Sequence, residues 1–249
     1  MIKVNDVLEF LNRLFPISTA CDFDNVGLLV GDKNKDVTGI LLCLDCDKTA
    51  VLKAKEMGAN LIITHHPVIF EPLKSVCDDS VVFDLVKNGI SVISMHTNLD
   101  IAPLGVTETL CAALKLQNVK DFESSDGFLI RSATVNSTMP CTLAKGFKEL
   151  LGFNIRYNDT NKKLENVLVC SGSGGDFLYD AIEGGFDALI CADVKHHIFI
   201  AAQNAGVCVF DVGHYASENI ILPVLFDLLN KEFEGIKIAV HNLDFITSV

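Results

Sequence analysis

Several features that would send the reading elsewhere are missing from this chain. No run approaches the roughly 20 uninterrupted apolar residues of a membrane-spanning helix, and the start, Met1-Ile2-Lys3-Val4-Asn5-Asp6, lacks the basic-then-apolar order of a signal peptide. A membrane role is therefore not expected, and the cytoplasm is the expected location. No basic cluster offsets a formal net charge of −12, which argues against nucleic acid as a partner, because Lys and Arg supply most of the affinity for phosphates. There is no disulfide framework either: the nine cysteines are an odd number without framework spacing, and several fall inside apolar runs. Cys43 and Cys46 form a solitary C-x-x-C with no second pair, so core packing is favoured over structural zinc or redox exchange. No complete dinucleotide or Walker pattern occurs.

What is present is apolar and periodic. With 49% hydrophobic residues over 249 positions, the chain can bury one large core or two smaller ones, and disorder is excluded. Val4, Val7, Leu8, Leu11 and Leu14 recur at helical spacing, and Pro16 closes that helix. Strands are predicted at 39–43, 60–64, 91–95, 128–135, 166–170, 188–191, 207–212 and 236–239, with helices in most gaps.

The pattern also repeats. Ile40-Leu41-Leu42-Cys43, a helix, and Leu61-Ile62-Ile63-Thr64-His65-His66 are echoed by Val167-Leu168-Val169-Cys170, a helix, and Ala188-Leu189-Ile190, reaching His196-His197. Each copy continues through a helix, a glycine turn at Asn88-Gly89 or Ala205-Gly206, and a strand with a histidine near its end, His96 or His214. The expected fold class is α/β, with two similar βαβαβ lobes at 1–122 and 123–249. Parallel strands with right-handed crossovers gather their carboxyl ends on one edge, so both histidine sets should face a metal cleft between the lobes.

The chemistry collects at those strand ends. Neighbouring strand residues point to opposite faces, so His65 and His66 serve one site only where the strand is ending, and Pro67 supplies the turn. Asp100 lies in a polar segment after another apolar strand, where a carboxylate reaches a cation; capping the helix near Gly105 is the alternative. His214 and Glu218 share a helix face four residues apart. Imidazole and carboxylate ligands suit zinc, iron, manganese or nickel, and no thiolate cluster suggests a closed structural zinc site. Two such ions roughly 3.5–4 Å apart polarise a substrate oxygen and activate bound water, so the catalytic group would be metal-bound water, with Glu218 a candidate shared ligand.

Other candidates are secondary. His96 reads as a hydrogen-bond partner that orients a ligand, and the loop holding Asp24 and Asn25 as part of the cleft lining. Ser171-Gly172-Ser173-Gly174-Gly175-Asp176 could cradle a phosphate on its amides or simply turn tightly. His196 and His197 could bind substrate or cap a helix, and His241 reads as structural or surface.

Taken together, Asp24-Asn25-Val26-Gly27-Leu28-Leu29-Val30-Gly31, Thr64-His65-His66-Pro67, His96-Thr97-Asn98-Leu99-Asp100 and Gly213-His214-Tyr215-Ala216-Ser217-Glu218 resemble the GTP cyclohydrolase 1 type 2 homologues, or Nif-three-like dinuclear metal-centre proteins, over nearly the whole chain. The resemblance implies two α/β lobes around a two-metal cleft, His65, His66, Asp100, His214 and Glu218 as ligands, and a toroidal homohexamer. It also implies the short form without an inserted central domain. Phe23, where members often carry tryptophan, and Gly105-Val106-Thr107-Glu108 depart from the family pattern and bear on substrate choice more than on metal binding. The expected function is a metal-dependent hydrolase of a nucleotide or other phosphorylated small molecule. A metal carrier or insertion factor is the rival, and a scaffold stabilised by its metals a third reading.

Overall fold

The computed structural model describes residues 1–246. Its contacts divide the chain into two units, one of residues 1–103 with 221–249 and the other of residues 104–220.

The first unit opens with helix α1, Val4–Leu14, which buries Val4, Val7, Phe10 and Leu11 and stops just before Pro16. Strands β1 (Gly27–Val30), β2 (Ile40–Cys43), β3 (Leu61–Thr64) and β4 (Ser91–Ser94) come next, with α2 (Lys48–Met57) and α3 (Val81–Asn88) as the crossovers. Asp47 caps α2 by accepting the Ala50 amide at 2.8 Å, and Gly58, at φ 72°, ends it. Ser80 and Gly89 do the same for α3. The short helix α4, Thr97–Ile101, comes directly after β4.

In the second unit, α5 (Val106–Ala113), β5 (Gln117–Glu123), β6 (Leu129–Thr138), α6 (Pro140–Leu151) and β7 (Arg156–Tyr157) precede the second copy of the βαβαβ pattern. That copy comprises β8 (Leu164–Ser173), α7 (Leu178–Glu183), β9 (Ala188–Ala192), α8 (His196–Ala205) and β10 (Cys208–Asp211), and α9 (His214–Glu218) comes after it. The chain then returns to the first unit with α10 (Ile221–Glu232) and β11 (Ile238–Val240).

The first sheet has the order β1-β4-β3-β2-β11, with β4, β3, β2 and β11 parallel and β1 antiparallel at the edge. The second has the order β5-β6-β8-β9-β10-β7, with β8, β9 and β10 parallel. Side chains on these central strands alternate between two apolar layers. Val167, Val169, Ala188, Ile190, Cys208 and Phe210 face one layer, while Leu168, Cys170, Leu189, Cys191 and Val209 face the other. Burial on both faces explains why the strands read as unbroken apolar runs.

The expected boundary at 122/123 is replaced by the division above, for two reasons. It falls inside β5, which pairs antiparallel with β6, so residues 117–123 belong to the second unit. And β11 pairs with β2, so the last strand leaves the second lobe for the first sheet. Two further strands carry no strong signal in the sequence: β1, which starts at the loop after Asp24, and β7, which is two residues long.

Cys43, Cys111, Cys191 and Cys208 pack as core residues. Burial, then the nearby Asp47 and Asp45 carboxylates, pushes the Cys46 thiol up to about 12, which keeps thiolate chemistry away from the C-x-x-C. Among the described residues, no helix is long and apolar enough to cross a membrane.

Candidate metal centre

Each parallel sheet places its polar residues at the carboxyl ends of its strands. In the first unit, β2 runs out toward Asp45, β3 into His65-His66 and β4 into His96, with Asp100 on α4. Nitrogen atoms of His65, His66 and His96 lie within 4.8 Å of one another, close enough to share an ion. Asp100 Oδ1 stands 3.6 Å from His65 Nε2, so this carboxylate belongs to the same group rather than to the cap near Gly105. His65 is fully buried.

Each imidazole here is held from behind. His65 Nδ1 is 2.9 Å from the Met95 carbonyl, His66 Nδ1 is 2.9 Å from Asp45 Oδ1, and His96 Nδ1 is 2.9 Å from Asp24 Oδ1. A carbonyl or carboxylate can only accept, so in the neutral ring Nδ1 carries the proton and Nε2 the lone pair. This is the outer-shell arrangement that fixes tautomer and ring orientation in metal-binding histidines. Asp24 is itself anchored: Thr97 donates to Oδ2 through its amide at 3.0 Å and its hydroxyl at 2.6 Å. Burial favours the neutral acid at Asp24, but the bonds from His96 and Thr97 outweigh it and hold the carboxyl at about 2.

The second unit presents a smaller group. His214 opens α9 directly after Gly213, whose φ of 80° is left-handed and where a Cβ would run into the Phe153 ring. His214 Nε2 lies 3.1 Å from Glu218 Oε2 and its Nδ1 lies 2.7 Å from Asp193 Oδ2. Burial alone would push His214 down, but Glu218 and then Asp193 outweigh it and raise it to about 9. The ring is thus held as an imidazolium between two carboxylates, and a metal ion binding at Nε2 would have to displace that proton.

Gly172, in β8, sits behind Glu218. A Cβ there would come within 2.3 Å of Glu218 Oε1, and the residue's φ is 60°. Its amide donates to Ser217 Oγ at 3.2 Å, and Ser171 Oγ pairs with Thr107 Oγ1 at 2.9 Å. A Cβ at Gly174 would come within 2.8 Å of Cys191 Cβ and 3.0 Å of Cys170 Cβ. Close packing accounts for these glycines, in line with the tight-turn alternative, and Gly172 backs Glu218.

His196 and His197 join neither group. They are exposed at the start of α8, whereas His65 comes after β3 without a gap, so the doubled dipeptide is no structural repeat. Asp193 is the residue that directly succeeds β9, and its φ of 52° aims it out of the strand. Asn25 Nδ2 donates to the Ile69 carbonyl at 2.6 Å, tying the loop 21–25 to the segment after His66. His241 Nε2 lies 3.0 Å from Thr49 Oγ1, in keeping with a structural role. The orienting carboxylates Asp45 and Asp193 do not stand out in the sequence; their only signal there is a position just beyond a buried strand.

Fold and donors together define a class: an α/β protein of two βαβαβ sheets whose strand ends carry imidazole and carboxylate groups suited to divalent metal. The Duf34/NIF3 (NGG1p interacting factor 3) family model matches residues 2–248, and the chain belongs to that family. A GTP cyclohydrolase 1 type 2 homolog of Clostridium perfringens is 34% identical, with 99% of this chain and 96% of that protein covered. Among solved structures, Staphylococcus aureus hypothetical protein SA1388 superposes with a TM-score of 0.90 at 28% identity, covering 99% of both chains. Reduced HcgD from Methanocaldococcus jannaschii gives 0.84 at 25% identity, covering 97% of this chain and 98% of that one.

Proposed function

We propose that the protein is a dinuclear metal-dependent hydrolase acting on a nucleotide or other phosphorylated small molecule. In this reading His65, His66 and Asp100 of the first unit and His214 and Glu218 of the second are the metal ligands. The observation that carries it is the shared pattern at four histidines, each with Nδ1 held against an oxygen acceptor. A site for substrate alone does not need every tautomer fixed.

Divalent zinc, iron, manganese or nickel ions would supply Lewis acidity toward a substrate oxygen and activation of water. The chain supplies the rest. Asp45, Asp24 and Asp193 orient rings, the buried setting of Glu218 strengthens the pull of its carboxylate on a cation, and His214 would act as a ligand by giving up a proton. The GTP cyclohydrolase name carried by curated relatives suggests a purine nucleotide substrate. Self-association into a homohexamer belongs to the same reading, and light scattering tests it.

Elemental analysis with a nucleotide turnover panel tests the function. Two equivalents of metal in the wild type, with turnover abolished in His65→Ala and Glu218→Ala, support it. Loss of both equivalents in either variant means that the two donor sets hold the same ions, whereas loss of one means separate ions. Rapid metal exchange without turnover of any nucleotide overturns the hydrolase in favour of the carrier.

A further inference from the structure

Beside the histidine group of the first unit lies an aromatic surface with no role so far. Phe23 is 68% exposed and Phe70 46% exposed. Their ring centroids are 6.4 Å apart at a tilt of 51°, and Phe70 stands edge-on to His96, centroids 6.1 Å apart. Isolated exposed hydrophobes are ordinary, but two neighbouring phenylalanines in water next to a polar group mark a contact surface.

The pair is also held in place. Asp24, adjacent to Phe23, is bound by His96 and Thr97, and Asn25 donates to the carbonyl of Ile69, adjacent to Phe70. The two backbone segments that carry the rings are therefore fastened to each other and to the histidine group. Rings already in contact at this spacing do not admit a third between them, so a ligand would stack on their solvent faces.

We infer that Phe23 and Phe70 form a subsite that stacks a planar heteroaromatic ring of the substrate beside His96, which makes a nucleotide, rather than a bare sugar phosphate, the ligand class. This rests on the reading of the donor group as a site for phosphorylated small molecules. Phenylalanine offers a face and no hydrogen bond, so the subsite selects planarity and not base identity.

The test is calorimetric titration of the metal-loaded full chain with GMP, AMP and ribose 5-phosphate. GMP and AMP should bind alike and on the order of ten-fold more tightly than ribose 5-phosphate. Phe23→Ala and Phe70→Ala should each shrink that gap while leaving ribose 5-phosphate affinity and metal content unchanged, and Phe23→Trp should keep it. Equal wild-type affinity for all three probes overturns the ring subsite alone. So does equal weakening of all three in the alanine variants, or a change of oligomeric size that shows another copy covering the patch. Failure of every probe to bind overturns the proposed function as well.

Discussion

Asp193 Oδ2 meets His214 Nδ1 at 2.7 Å, and both residues are positioned by a third, Asp211. The Asp211 carboxylate accepts the Gly213 amide at 3.1 Å on Oδ1 and the Val194 amide at 3.1 Å on Oδ2, with the Arg156 guanidinium also on Oδ2. One buried carboxylate thus ties together the loop after β9 and the start of α9. Because both loops carry their functional residue one position from the tied amide, small shifts at Asp211 are transmitted to the His214 ring.

Asp211→Ala should therefore destabilise the protein by about 2–4 kcal/mol, since two buried amides lose their acceptor and Arg156 loses its partner. Much of the Arg156 side chain is in water, which limits its share. Chemical denaturation gives the loss of stability. Asp211→Asn retains one acceptor oxygen and should fall between. A loss below about 0.5 kcal/mol, the range of an ordinary surface change, would show that the loops hold without it.

His214 leads to a pH effect in the chelator-treated protein. Its folded value, about 9, lies above the ordinary 6.5, so its contribution to stability is full below pH 6.5 and is lost as pH rises toward 9. The melting temperature of wild type relative to His214→Asn should fall across that window. Metal competes with the same proton, so apparent affinity should rise over the same range. A flat difference curve from about pH 6 to pH 9.5 would contradict the charge assignment.

Much of this was legible in the sequence, for a physical reason. Strands buried on both faces write themselves as apolar runs, and candidate donors at their ends stand out as polar residues where the run breaks, as with His65, His66 and His214. β5 is different: its residues are mostly exposed, so Gln117–Glu123 reads as a polar linker although it pairs with β6. The 236–239 stretch reads correctly as a strand, but its partner β2 lies far away in the chain, and no local pattern encodes that pairing. Asp45 and Asp193 look like any solvated carboxylate until the ring each one touches is known. His196-His197 misleads for the opposite reason, since a repeated dipeptide shifted off the strand end occupies another environment.

Gly172→Ala separates the site from the scaffold. The new methyl meets Glu218 Oε1 at 2.3 Å and takes up a φ of 60°, so the carboxylate must move and the backbone adds roughly 1–2 kcal/mol of strain. Metal content should drop together with a modest loss of melting temperature. Gly174→Ala is the control: its methyl meets Cys191 Cβ at 2.8 Å, away from the donors, so it should lower stability and leave metal content intact. Equal metal loss in both would mean that Gly172 matters only through folding.

Asp24 is the other place where charge and geometry are coupled. Its carboxyl is held at about 2, below the ordinary 3.8, because His96 and Thr97 bond its charged form against the pull of burial. A depressed carboxylate contributes stability above its unfolded value, and here that contribution is lost as pH falls from about 3.8 toward 2. The shift corresponds to on the order of 2 kcal/mol at neutral pH. Asp24→Asn should cost about that much at neutral pH and almost nothing once the medium is as acidic as the carboxyl itself, so the two stability curves should converge on acidification. Asp24→Ala goes further and removes the acceptor that keeps the proton on His96 Nδ1. The imidazole signals of His96 in the nitrogen-15 NMR spectrum should then lose their single-tautomer pattern, while His66, oriented by Asp45, keeps its own. Stability curves that stay parallel throughout the acid range, or an unchanged His96 tautomer, would show that Asp24 neither carries this charge energy nor orients the ring.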